Sequence, residues 1–267
     1  MSVLAAAFSR RAKKAALLAF ITAGFPRAGS TPKMLHSMVA GGADILELGV
    51  PFSDPMADGP AIQRSSEIAL KNGMSPAKVL EIAAEFRAAD STPLVLMGYA
   101  NSFLNFRGGI DGFAAAAERA GVNGLIVVDL ADDERAKWRA PLAAAGVEMI
   151  NLVAPTTPAP RMRRLAAESR GFLYAVSLKG VTGAAHIDAA AARDYLAAVR
   201  ECARTPVAAG FGVRTAAHAR ALAEFADGIV VGSRLAEAAE SAGDSDSAAA
   251  ETVRATVAEL SGALAES

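Results

Sequence analysis

The stretch DILELGVPFSDPMADGP, residues 44–60, begins as a buried strand and leaves it through a stiff, proline-punctuated loop. Strict alternation along DILELG sets Leu46 and Leu48 on one face and Ile45, Glu47 and Gly49 on the other. Both faces are otherwise apolar, so the strand is covered on two sides, as parallel strands are. A carboxylate in such a strand costs several kcal/mol when unpaired, by order of magnitude, which marks Glu47 as functional or as half of an interior ion pair. Asp54 and Asp58 follow in a loop restricted by Pro51, Pro55 and Pro60, which can hold a carboxylate beside the strand end. Loop aspartates are ordinarily turn or cap residues, so sequence chemistry alone leaves Asp54 and Asp58 as equal candidates.

Working outward, apolar runs of strand length recur at 18–23, 44–50, 93–98, 124–129, 147–153, 172–177, 206–211 and 228–233. Segments of helical period separate them. Ser75 and Pro76 read as an N-cap and first helical residue before Val79, Ile82, Ala83 and Phe86; Ile110, Phe113, Ala114 and Ala117 repeat the spacing. Strands alternating with helices, without hairpin turns, imply parallel pairing through right-handed crossovers. Eight such units predict a closed (β/α)8 TIM barrel, a fold that typically takes about 250 residues and carries its active site at the C-terminal strand ends. An open doubly wound sheet is the rival, although the turn AGFPRAG after the first strand lacks a GxGxxG fingerprint. Residues 1–267 are expected to form one barrel domain, with residues 236–251, poor in bulky side chains, as a mobile surface connection before a last helix around Val253, Val257, Leu260 and Leu264.

Composition narrows the function. The chain has 267 residues, 52% of them hydrophobic, enough to bury a large core. Its 27 basic and 28 acidic residues are interleaved and give a net charge of -1, with no electrostatic footprint for nucleic acid or an anionic membrane. The lone Cys202 excludes an internal disulfide and a multi-cysteine metal site, and fits a reducing, cytoplasmic compartment. Arg10, Arg11, Lys13 and Lys14 before the apolar residues 15–25 superficially resemble a twin-arginine export signal. The apolar run is shorter than the roughly 20 residues that span a bilayer, and it enters a Gly-Phe-Pro turn; a short amphipathic helix leading into the first strand is the better reading.

Other candidate chemistry lies at later strand ends. Gly180 to Gly183, Gly210 to Gly212, and Gly232 with Ser233 together suit a phosphate held by backbone N–H groups and a helix N-terminus. Lys179 offers a rival Schiff-base mechanism, with a solvated loop lysine as its bland alternative. His36, His186 and His218 lie far apart without metal-binding spacing, so no metal is expected. Tyr174 shares a face with Phe172 and Val176 and reads as core.

These residues resemble one family closely, the tryptophan synthase alpha chains. The likeness runs through FITAGFP (20–26), LELGVPFSDPMADGPAIQ (46–63), LMGYAN (96–101), LIVVDL (125–130), LVAPTTP (152–158), SLKGVTGA (177–184), AGFGV (209–213) and VVGS (230–233). It implies reversible retro-aldol cleavage of indole-3-glycerol phosphate to indole and glyceraldehyde 3-phosphate. By the resemblance, Glu47 is the proton shuttle, Asp58 accepts a hydrogen bond from the ring N–H, and Tyr174 is a supporting active-site residue. The phosphate is expected at Gly183, Gly212, Gly232 and Ser233, and the indole against Phe20, Met97, Ile126, Asp129 and Phe211. Thr182 belongs to a segment that resembles the family's mobile lid and is expected to meet Asp58 on closure. The resemblance further implies no cofactor in this chain and a pyridoxal-phosphate-dependent beta chain as partner in an α2β2 complex, with Asp54, Pro55 and Asn101 near the contact. A freestanding indole-releasing lyase and a barrel kept only as a binding subunit are the alternatives. VDLADDE (128–134) and NSFLNFRGG (101–109) depart from the family's commoner loops; the first lacks prolines often found there.

Overall fold

Each apolar run forms one strand: β1 Ala16–Thr22, β2 Ile45–Gly49, β3 Leu94–Gly98, β4 Gly124–Val127, β5 Glu148–Val153, β6 Leu173–Val176, β7 Val207–Gly210 and β8 Gly228–Val231. The computed structural model describes residues 2–10, 13–177, 189–243 and 245–265. All pairings are parallel between neighbours in sequence order, and β8 returns to β1, closing the barrel and excluding the open sheet. The helices are α1 Val3–Arg10, α2 Ser30–Ala40, α3 Pro60–Lys71, α4 Pro76–Ala89, α5 Ala100–Leu104, α6 Gly109–Arg119, α7 Arg135–Ala144, α8 Ala159–Glu168, α9 Ala189–Cys202, α10 Ala216–Ala223, α11 Ser233–Ser241 and α12 Asp246–Ala265. Ser75 caps α4 as its sequence predicts, accepting a hydrogen bond from Lys78 N, with Pro76 at the first helical position.

Two apolar layers share the strands. Leu18, Ile45, Val95, Ile126, Ile150, Tyr174, Ala208 and Val230 pack in the barrel interior, while Leu17, Leu46, Leu48, Leu96 and Leu125 pack outward against helices. The alternation read in DILELG is therefore the alternation observed. Helix α1 has a role its sequence did not disclose: Leu4 and Phe8 join the interior cluster, and Phe8 meets Phe172 with ring centroids 5.5 Å apart. They fill the end of the barrel opposite the strand C-termini.

Residues 236–251 correct one expectation. They are largely helical, because alanine is the best helix former and its small side chain lets Leu235, Ala236 and Ala239 bury one face of α11. The start of α12 is pinned where Asp246 accepts hydrogen bonds from Arg27 Nε at 2.7 Å and Ser30 Oγ at 2.5 Å. Helix α12 then packs closely on α2. A Cβ at Gly41 would lie 2.8 Å from the Arg254 carbonyl oxygen and 2.9 Å from Val257 Cβ. Backbone cannot yield cheaply, so Gly41→Ala is expected to destabilise the fold by about 1–3 kcal/mol; urea unfolding checks this, and an unchanged midpoint would refute the close approach. No helix among the described residues is long and apolar enough to cross a membrane.

Candidate active site

Glu47 sits on the inner face of β2, in register with Phe20 on β1 and Val95 on β3. It is fully buried, and neither carboxylate oxygen has a hydrogen-bond partner among the described residues. The interior ion-pair alternative thus finds no partner among those residues. Burial raises its pKa from 4.5 to about 8, which holds the carboxyl mainly neutral at pH 7. An acid of this kind can give a proton at neutral pH and take one back.

Asp58 is placed by the loop that the prolines stiffen. Its N–H bonds the Pro55 carbonyl at 3.0 Å, and Gln63 Nε2 bonds the Asp58 carbonyl at 2.9 Å, fixing the turn into α3. The Tyr99 hydroxyl donates to Asp58 Oδ2 at 3.0 Å and accepts from Ala57 N at 3.0 Å, so one hydroxyl ties side chain and loop backbone together. Phe52 stacks on Tyr99 with centroids 5.0 Å apart. Burial raises the Asp58 pKa, and the Tyr99 hydrogen bond opposes that rise. Asp54, by contrast, is exposed and bonded to Ser53 Oγ at 2.5 Å. The two loop carboxylates are therefore unlike in setting.

Tyr174 points inward from β6, among the interior cluster. Its phenol pKa is raised by burial first, then by the charges of Glu47 and Asp58, which places all three groups within electrostatic reach. Gly210 on the neighbouring strand makes room for it: a Cβ there would lie 2.5 Å from Tyr174 Cε1. Phe20 is accommodated in the same way, between Gly49 and Gly232, whose added Cβ atoms would approach its ring to 2.6 and 3.1 Å. Phe20, Gly49, Asp58, Met97 and Tyr99 enclose a cleft of about 20 Å³, room for about one water.

The remaining candidates are spread around the same barrel end. Ile126 is fully buried in the interior cluster against which Met97 packs. Asp129 accepts a hydrogen bond from Ala100 N at 2.7 Å and so caps the first turn of α5. Phe211 is buried against Tyr195, whose hydroxyl donates to the Val153 carbonyl at 2.8 Å. Gly212 has φ +65°, a conformation that favours glycine, in the loop after β7. Gly232 and Ser233 open α11 directly after β8, where first-turn N–H groups lack intrahelical partners and suit an anion. Lys179, Thr182 and Gly183 lie outside the described residues. Tyr99 is the functional candidate that sequence reasoning missed. Its place in LMGYAN, just past the end of the third strand, was the available signal.

The chain matches the family described as "Tryptophan synthase alpha chain" over residues 6–265. It is 48% identical over 265 residues to the tryptophan synthase alpha chain of Chromobacterium violaceum, covering 99% of this chain and 100% of that one. The alpha chain of Laribacter hongkongensis is 49% identical over 88% of both chains. Among solved structures, tryptophan synthase from Mycobacterium tuberculosis superposes with a TM-score of 0.89 at 35% identity, covering 100% of this chain and 99% of that one. The alpha chain from Legionella pneumophila gives 0.88 at 34% identity, covering 99% and 97%.

Proposed function

The chain belongs to the tryptophan synthase alpha chain family, and from this premise we infer that Glu47 and Asp58 divide the work of its reaction. The reaction is the reversible retro-aldol cleavage of indole-3-glycerol phosphate to indole and glyceraldehyde 3-phosphate in tryptophan biosynthesis. Neutral Glu47 gives its proton to the ring carbon that bears the glycerol chain, leaving positive charge at the ring nitrogen. The Asp58 carboxylate accepts the ring N–H and stabilises that charge. Glu47, now ionised, takes the proton of the side-chain hydroxyl; the carbonyl of the aldehyde forms, the carbon–carbon bond breaks, and its electron pair returns to the ring as indole leaves. The ring is its own electron sink, so the Schiff base at Lys179 is not needed. Tyr174 supports the pair from β6.

The single observation that carries this reading is a fully buried carboxyl without a hydrogen-bond partner among the described residues, held inside the barrel within electrostatic reach of Tyr174, which also feels a loop-borne aspartate. In this reading Phe20, Met97, Ile126 and Phe211 supply the indole's apolar walls and Asp129 the polar one. Gly183, Gly212, Gly232 and Ser233 take the phosphate. One barrel domain, working in the cytoplasm, completes the reading.

The partner is a pyridoxal-phosphate-dependent beta chain in an α2β2 complex, with no cofactor bound by this chain itself. Supporting that surface, Met56 and Leu104 are 81% and 51% exposed, and Phe52, Asn101 and Phe106 line an apolar groove of about 890 Å³. A few side chains that become fully buried at the centre of an interface carry most of its binding energy. The test is indole release from indole-3-glycerol phosphate by the purified chain, with and without a cognate beta chain. Release alone and a large stimulation by the beta chain are expected; no release in either condition overturns the reading, and release without stimulation favours the freestanding lyase. Leu104→Asp combined with Met56→Asp is expected to leave release by the isolated chain unchanged and to weaken the stimulation at least about tenfold, the scale of one or two lost anchors.

A further inference from the structure

We propose that Arg135 is a positioning residue for the Tyr99–Asp58 pair, acting through the turn that carries Asp129. This rests on the role assigned above to Asp58. Arg135, in the first turn of α7, is only 6% exposed, an unusual place for a guanidinium unless its donors are satisfied. Each of its three nitrogens has an acceptor: Nη1 donates to Asn151 Oδ1 at 2.5 Å, Nη2 to the Leu130 carbonyl at 3.2 Å, and Nε to Asp132 Oδ1 at 3.3 Å.

The anchor on the far side is rigid. Asn151 on β5 is 2% exposed; its Nδ2 donates to the Leu165 carbonyl at 2.9 Å, and its own N–H donates to Ser169 Oγ at 3.1 Å. Asp132 is also gripped from α8 by Arg161 and Arg164. The fork of Arg135 therefore fixes the Leu130 carbonyl to the body of the barrel. The adjacent residue, Asp129, holds Ala100 N, and the residue before Ala100 is Tyr99, whose hydroxyl bonds Asp58 Oδ2 and Ala57 N. A continuous run of hydrogen bonds and peptide links thus joins β5 to the Asp58 carboxylate. The turn ADDE, residues 131–134, has no proline to stiffen it, and hydrogen bonds to a planar fork supply that rigidity instead.

The test is the pH dependence of kcat/KM for indole release by the full chain carrying Tyr99→Phe, Arg135→Met, Arg135→Lys, or Tyr99→Phe with Arg135→Met. Among the described residues, the titratable groups facing Asp58 are Tyr99 and Tyr174; Tyr99 also faces Asp129; Arg135 faces Asp132, Arg161 and Glu168. Tyr99 favours ionised Asp58, so its loss moves the acid limb to higher pH. Arg135→Met is expected to move that limb in the same direction, to lower kcat about tenfold, the scale of one lost hydrogen bond to a charged group, and to add little in the double variant. Arg135→Lys, which keeps the charge and not the fork, is expected to move the limb less and decides the matter if Arg135→Met does not fold. A limb unmoved in the Arg135 variants that fold, beside a moved limb in Tyr99→Phe, overturns the positioning role alone. A limb unmoved in Tyr99→Phe overturns the role of Asp58 as well.

Discussion

Glu47→Gln is expected to lower kcat for indole release by about 10²–10⁴-fold, the range for removal of a general acid–base group, while the protein becomes more stable at neutral pH. The two effects have one cause. Native Glu47 titrates at about 8, against 4.5 for the free side chain. Between those values the native state holds a proton that the unfolded state has released, so stability falls as pH rises through this window. The slope is about 1.4 kcal/mol per pH unit, which makes the cost on the order of 3 kcal/mol at pH 7. Glutamine fills the same space without ionising, so the stability of the variant should not fall across this window. Urea unfolding of both proteins from pH 4 to pH 8 checks this: the difference between the curves is smallest below pH 4.5 and grows above it. Parallel curves would mean that Glu47 is not desolvated, and near-full activity in Glu47→Gln would remove the proton shuttle.

Asp58→Asn is expected to cost about 10²–10³-fold in kcat, what one well-placed charge-stabilising group contributes, with a much smaller change in KM. Asparagine still accepts a hydrogen bond from the ring N–H, so substrate orientation survives; the negative charge opposite the developing cation does not. Because burial has raised the Asp58 pKa, ionised Asp58 is disfavoured in the folded state, and the variant is not expected to lose stability at neutral pH. Steady-state kinetics and a thermal melt separate the two. A kcat within a few-fold of the parent, or a rise in KM alone, would make Asp58 a binding group only. Tyr99→Phe leaves the charge in place and should cost less than either substitution.

The barrel was legible because parallel strands buried on both faces must be apolar throughout, and eight such runs with helical spacers have few other ways to close. Glu47 was legible for the same reason, as the charge that breaks the pattern. Asp58 and Asp54 could not be separated on local chemistry, since both sit in one Pro-rich loop; their difference lies in Tyr99, which reaches Asp58 and not Asp54. Tyr99 itself is 41 residues away in sequence from Asp58, and a tyrosine after a strand looks like core until its hydroxyl finds a partner. Likewise, a carboxylate capping a neighbouring helix, as Asp129 caps α5, leaves no periodic trace. Residues 236–251 mislead because low side-chain bulk suggests looseness, whereas alanine-rich helices pack closely. The plug formed by Leu4 and Phe8 has an amphipathic signature, but nothing local says which surface receives it.

The division of labour between Glu47 and Asp58 is tested most directly by the pH dependence of kcat/KM for indole release by the isolated chain, which reports ionisations of free enzyme and free substrate. Cleavage needs Glu47 protonated, so activity is expected to fall with rising pH along a limb centred at about 8, the pKa that burial gives this carboxyl. A profile that stays flat from pH 7 to well above pH 9 would contradict a neutral, proton-giving Glu47.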